Sequence, residues 1–128
     1  MSDGRGKAFA EQLNDLEAGG NVDRFVSEAF HPDAVLVRPE LRMQGEEGAR
    51  LFWQQYLAYF DSVRSDFSRI TDTGLLSVLE WQSKGRLRGG PDITYRGVSV
   101  LDFDEDGRIT RFATYYDTMP FQPTHATR

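Results

Sequence analysis

The sequence predicts one α+β domain: a curved antiparallel sheet wrapped around a long helix, with two further helices at the N-terminal end. Three observations predict it. Apolar residues of the first third recur at helical spacing, the last third reads as long alternating strands split by turn residues, and one aromatic-rich helical stretch lies between. Helices segregated from consecutive antiparallel strands argue α+β. The 128 residues are enough to bury a core. A single domain over 1-128 is expected, with flexible ends at about 1-6 and 119-128.

Each element follows from local signals. Phe9, Leu13 and Leu16 mark a first helix, which Gly19-Gly20 stops. Asn21 is an N-cap for a second, with Val22, Phe25, Val26, Ala29 and Phe30 on its buried face and His31-Pro32 at its end. Ala34 to Val37 reads as a short strand broken by Pro39. A third helix is expected from about Glu46 to Val63, because Ala49, Phe52, Trp53, Tyr56, Tyr59, Phe60 and Val63 keep the i, i+3, i+4 pattern. Phe67 to Ile70 reads as a short strand, Leu75 to Leu87 as a longer one ended by Gly89-Gly90-Pro91, and Tyr95 to Asp117 as a hairpin.

Composition excludes several function classes. Nine Phe, five Tyr and two Trp suit a core or a small-molecule cavity. The formal charge is −5 and no basic stripe is present, which argues against nucleic acid. Without cysteine there are no disulfides and no thiolate chemistry, as expected in a reducing cytoplasm. The start MSDGRGKAF lacks a signal h-region, and no apolar run approaches the roughly 20 residues that span a bilayer. Two distant histidines argue against zinc, and the acidic cluster Asp102, Asp104, Glu105, Asp106 lacks the spacing of a calcium loop. No metal and no cofactor are expected.

Three stretches resemble the nuclear-transport-factor-2-like superfamily, and within it the SnoaL-like and ketosteroid-isomerase-like proteins. They are AGGNVDRFVSEAFHPDAVLVRPE, the aromatic helix start GEEGARLFWQQYL, and the hairpin YRGVSVLDFDEDGRITRFATYYD. The resemblance implies a cystatin-like cone with an apolar pocket, and pairing of two copies through the outer sheet face. Trp81, Val98, Val100 and Tyr115 would furnish that face. The superfold hosts isomerases, dehydratases, cyclases, hydrolases and binders, so it does not settle an activity.

The family's known residue sets are broken here. At the steroid-isomerase base position stands Arg38, which cannot act as a base. Leu13 stands at the helix Tyr position and Ser99 at the Asp that donates to the oxyanion. Epoxide-hydrolase relatives use an Asp-Arg-Asp set, against which this chain offers Glu80, Val78 and Thr114. Asp117 alone remains of the Asp-aromatic-aromatic-Asp ending.

Placing Glu105-Asp106 at the hairpin tip pairs Tyr95 with Tyr116, Gly97 with Thr114 and Ser99 with Phe112. These six share one side, since strand side chains alternate, and the resemblance turns that side toward the pocket. A bulge at Gly107 would instead shift the second strand by one residue and present Ala113 and Tyr115. The first register is preferred. The resemblance also turns Glu80 and Gln82 inward and Trp81 outward. Glu80 is then the catalytic candidate, since a carboxylate in an aromatic pocket suits acid–base work; the alternative is an ion pair with Arg38, Lys84 or Arg86. Arg38 could hold an enolate or carboxylate oxygen, or pair with Glu40 or Glu80. Trp53 and Tyr56 serve either packing or ligand contact. The expected substrate-binding set is thus Arg38, Trp53, Tyr56, Gln82, Tyr95, Ser99, Phe112, Thr114 and Tyr116. The expected guest is a small apolar, oxygenated molecule, which the protein would isomerise, dehydrate, cyclise or hydrolyse. The alternative is a non-catalytic binding or dimerising module.

Overall fold

A computed structural model of the chain describes residues 4–122. Three helices, α1 (Arg5–Glu17), α2 (Val22–Ala29) and α3 (Gly45–Ala58), accompany six strands: β1 (Phe30–Arg38), β2 (Leu41–Gln44), β3 (Phe60–Asp72), β4 (Leu76–Leu87), β5 (Asp92–Phe103) and β6 (Ile109–Tyr116). The strands form one curved, unclosed sheet in the order β2-β1-β6-β5-β4-β3. All pairings are antiparallel except β1 with β6, so the sheet is mixed. The α3 helix packs chiefly on β1 and α1 on β3, which encloses the concave face from two sides.

The helix ends follow the sequence signals. The Asn21 side chain accepts from the Arg24 amide at 2.9 Å, the expected N-cap of α2. The start of α1 is tied from a distance: the Asp72 carboxylate accepts from the Gly4 and Gly6 amides and from the Ser77 hydroxyl. Gly4 to Gly6 therefore do not form the loose end that was expected. Nor do Met119–Phe121, a short 3-10 turn whose Phe121 ring packs on Tyr59, Phe60, Tyr95 and Tyr116. The remainder of both expected ends, 1–3 and 123–128, lies outside the described residues.

Several element boundaries differ from expectation. Strand β2 was not foreseen, β1 begins at Phe30 so that Phe30 and His31-Pro32 lie in the strand rather than on α2, β3 runs from Phe60 to Asp72 rather than from Phe67 to Ile70, and α3 ends at Ala58 rather than near Val63. The stretch after Tyr59 keeps helical spacing at Phe60 and Val63, but Ser62, Val63, Ser65, Phe67, Ile70 and Thr71 are poor helix formers. Ladder pairing with β4 from Phe60 to Asp72 decides the matter. Gly85 assists, since a β-carbon there would lie 2.7 Å from the Phe60 ring.

The hairpin register is offset by two residues from the preferred one, pairing Gly97 with Tyr116, Ser99 with Thr114 and Leu101 with Phe112. Two single-residue shifts add up. One is the turn, where Gly107 at φ 88° takes the left-handed conformation and Asp104 accepts from the Asp106 and Arg108 amides. The other is a bulge at Thr110, between the pairs Asp102–Arg111 and Phe103–Ile109. A two-residue slip keeps every side chain on its original face. Tyr95, Ser99, Phe112, Thr114 and Tyr116 therefore stay on one side, as in the preferred register, and Tyr115 is exposed.

Strand β4 is turned the opposite way from expectation. Ser77, Leu79, Trp81 and Ser83 are buried, whereas Glu80 points outward, its side chain 52 % exposed and 3.8 Å from Arg69. The alternation of β4 itself explains this, because facing Leu79 and Trp81 inward buries two large apolar groups. The register implied by the resemblance would bury Glu80, Gln82 and Lys84 instead. Trp81 is thereby lost from the outer face, which retains Val98, Val100 and Tyr115.

Candidate functional site

The concave face and the helices enclose an aromatic cavity. Its walls are Leu13 and Glu17 of α1, Arg38 of β1, Phe52, Trp53 and Tyr56 of α3, Ser65 and Phe67 of β3, Trp81 and Ser83 of β4, Ser99 of β5, and Phe112, Thr114 and Tyr116 of β6. The room for the centre of a water-sized sphere is about 30 Å³. That takes one or two waters, so a larger guest must part the lining side chains. Phe9, Phe25, Phe30, Phe52, Trp53 and Phe112 interlock beside it at ring separations of 5.2 to 6.5 Å.

Arg38 is the exceptional wall residue. It ends β1, just before Pro39 and Glu40, and is only 8 % exposed. Its guanidinium lies over the Phe52 and Tyr59 rings at 5.5 and 5.7 Å. Among the described residues it forms no ion pair, so neither expected partner, Glu40 nor Glu80, engages it. Among the described residues its buried Nε has no hydrogen-bond acceptor, and neither has the buried Trp53 Nε1. Burial raises the Tyr116 hydroxyl pKa, while the neighbouring Arg38, by its charge and by a hydrogen bond from its guanidinium, pulls it back. Two N–H donors without an acceptor among the described residues thus belong to side chains that line one aromatic cavity, an arrangement that an acceptor oxygen on a guest would complete.

The β strands add a polar seam. Trp81 Nε1 donates to Ser99 Oγ at 3.0 Å, and Ser99 Oγ lies 2.8 Å from Thr114 Oγ1. Gly97 makes this possible: a β-carbon there would sit 2.7 Å from Trp81 Cζ2 and 2.9 Å from Tyr116 Cβ. On the opposite side Ser65 and Ser83 are joined at 2.6 Å, and the Ser65 amide and hydroxyl donate to the Glu17 carboxylate at 2.9 and 2.7 Å. Burial raises the Glu17 pKa, the Ser65 hydrogen bonds oppose the rise, and Asp66 adds to it. Tyr56 and Tyr95 share a buried hydroxyl–hydroxyl contact, and burial raises both of their pKa values.

Of the residues expected from sequence, Arg38, Trp53, Tyr56, Ser99, Phe112, Thr114 and Tyr116 converge on the cavity. Glu80 and Gln82 do not. They line a shallow groove on the outer face with Arg96 and Val98, because β4 presents its odd-numbered residues inward. Tyr95 is buried behind the wall, packed on Phe60, Trp81 and Phe121, and does not line the cavity. Glu17, Ser65 and Ser83 were missed. Glu17 falls four residues after Leu13 on the buried stripe of α1, and that spacing was its one visible signal.

Comparison with known proteins agrees with this architecture. No curated protein matches the chain. Solved structures do, at low identity. One is a protein from Jannaschia sp. CCS1 described as a SnoaL-like polyketide cyclase, with TM-score 0.79, 15 % identity and 94 % of each chain covered. A second is a protein of ketosteroid-isomerase-like fold from Catenulispora acidiphila DSM 44928, in complex with trimethylamine, with TM-score 0.77, 17 % identity, and 88 % of this chain and 87 % of that one covered. A third is TerC co-crystallised with polyporic acid, with TM-score 0.77, 19 % identity and 94 % of each chain covered. At such identities the likeness shows the fold. The SnoaL-like domain model matches residues 10–112, from the first turns of α1 to the middle of β6, and on that match the chain belongs to the SnoaL-like domain family.

Proposed function

We propose that this protein is an enzyme of small-molecule metabolism that admits an apolar, oxygenated guest to the cavity and holds an oxyanion of it against Arg38. The observation that carries the reading is the buried guanidinium with an unsatisfied Nε. A cation without a carboxylate in an aromatic interior is costly, and a fold keeps it where a ligand supplies the missing acceptor. Trp53 Nε1 is a second free donor, and the Ser99–Thr114 seam can orient another oxygen. The polyporic acid held by TerC is in keeping with an oxygenated guest. The chemistry would be isomerisation, cyclisation, dehydration or hydrolysis by proton transfer.

The small free volume favours a second reading, a non-catalytic module whose interior is filled by its own aromatics. Binding separates the two. Hydroxynaphthoquinone, a planar enol ionised at neutral pH, should quench Trp53 and Trp81, the two tryptophans of the chain. The quench should saturate, and Arg38→Met should weaken binding ~10- to 100-fold, the worth of one charge-assisted hydrogen bond. Quenching that never saturates would favour the filled module.

A further inference from the structure

We infer that Glu17 is the catalytic proton acceptor and donor of this cavity and trades its proton with solvent through a groove on the other side of its carboxylate. The inference rests on the pocket reading above and names the base that reading lacks. Glu17 and Ser65 line both the inner cavity and a surface groove, which they share with Asn14, Ala18, Val63, Arg64 and Asp66. The carboxylate therefore stands between the enclosed interior and the surface groove. Its orientation is fixed by two hydrogen bonds from Ser65. Since the Ser65 hydroxyl gives its proton to Glu17, it must accept from Ser83, which extends the polar line inward. Arg38 of β1 and Trp53 of α3, whose Nε and Nε1 have no acceptor among the described residues, line the same cavity. A carboxylate on one wall and free N–H donors on another are the parts needed to enolise a carbonyl compound.

The step balances without an added oxidant or reductant. A C–H bond next to the guest's carbonyl breaks and its proton passes to a Glu17 oxygen. The bonding electron pair moves into the carbonyl system, and the resulting enolate oxygen lies at the Arg38 donor. Glu17 then returns the proton to carbon or loses it to the groove. Desolvation raises the proton affinity of Glu17 toward the range a base near neutral pH requires. The charged and titratable groups around it are Asp66 and Arg64 of β3, Arg38 of β1, Tyr56 of α3 and Tyr95 of β5. Burial keeps both tyrosines neutral.

The test follows α-proton exchange of β-tetralone in deuterated water by proton NMR, beside hydroxynaphthoquinone binding. Glu17→Gln should slow exchange ~10²- to 10⁴-fold while binding persists, and Glu17→Asp should retain part of the rate. The wild-type rate should rise with pH as Glu17 ionises, with its midpoint above the ordinary carboxylate range, and Glu17→Gln should lose that inflection. A purely structural Glu17 would leave the inflection in place. Glu17→Gln exchanging at the wild-type rate, or keeping the pH inflection, overturns the inference. Wild type that binds hydroxynaphthoquinone but exchanges no β-tetralone proton overturns it too and spares the pocket reading. Wild type that does neither ends both.

Discussion

Replacing Arg38 by Met should make the protein more stable and less able to bind. The side chain is 8 % exposed, with no ion-pair partner among the described residues and an unsatisfied Nε. Desolvating an unpaired guanidinium costs several kcal/mol. The Phe52 and Tyr59 ring contacts and the hydrogen bond to Tyr116 together return ~3 kcal/mol. Met keeps the apolar stem and removes the charge, which leaves a net gain of ~1–2 kcal/mol. At about 2.1 cal/mol/K per residue, 128 residues unfold with an entropy of roughly 270 cal/mol/K, so the melting temperature should rise ~4–7 °C. Thermal and urea melts followed by far-ultraviolet circular dichroism give the number without relying on the cavity tryptophans. Hydroxynaphthoquinone binding on the same sample gives the functional loss. A stability gained at the expense of binding marks a group retained for function. Destabilisation by more than ~1 kcal/mol would mean that Arg38 is satisfied in the native state, and the argument for an oxyanion site would fall.

Three further substitutions probe the packing around the cavity. Tyr56→Phe and Tyr95→Phe each leave the partner hydroxyl buried, and each should cost ~1–3 kcal/mol, whereas the double variant should cost less than the two together. Tyr56→Phe should be the milder, because Ser83 lies beside the Tyr95 hydroxyl and can take its proton; additive costs in urea melts would disprove the coupling. Gly97→Ala pushes a methyl group into Trp81 and the β6 backbone and should cost ~1–3 kcal/mol, with the Trp81 indole proton signal shifted in NMR spectra. An unshifted indole signal at full stability would show that the sheet yields there at no cost.

Local signals carried much of the architecture. The Asn21 cap, the Gly19-Gly20 stop and the Phe9, Leu13, Leu16 stripe each depend on a few neighbouring residues, and each appears in the structure where it was read. The hairpin face was also legible, although its register was not. The turn at Gly107 and the bulge at Thr110 together shifted the pairing by an even number, and only parity decides which side chains face inward. Glu80 failed for the complementary reason. A distant likeness set the parity of β4, while the strand's own alternation of Leu79 and Trp81 with Glu80 and Gln82 indicated the other face. The end of α3 was lost where helical spacing continued into residues whose fate depends on a partner strand.

Secondary structure, fold class and the aromatic character of the interior were thus written in the chain, because propensity, capping and periodicity act over a few residues. The pairing of Glu17 with Ser65, the lack of an ion-pair partner for Arg38 among the described residues and the near-filled cavity were not. Those depend on which distant residues the curved sheet brings together and on how closely their side chains pack. Residues 48 positions apart, as Glu17 and Ser65 are, have no local rule to join them.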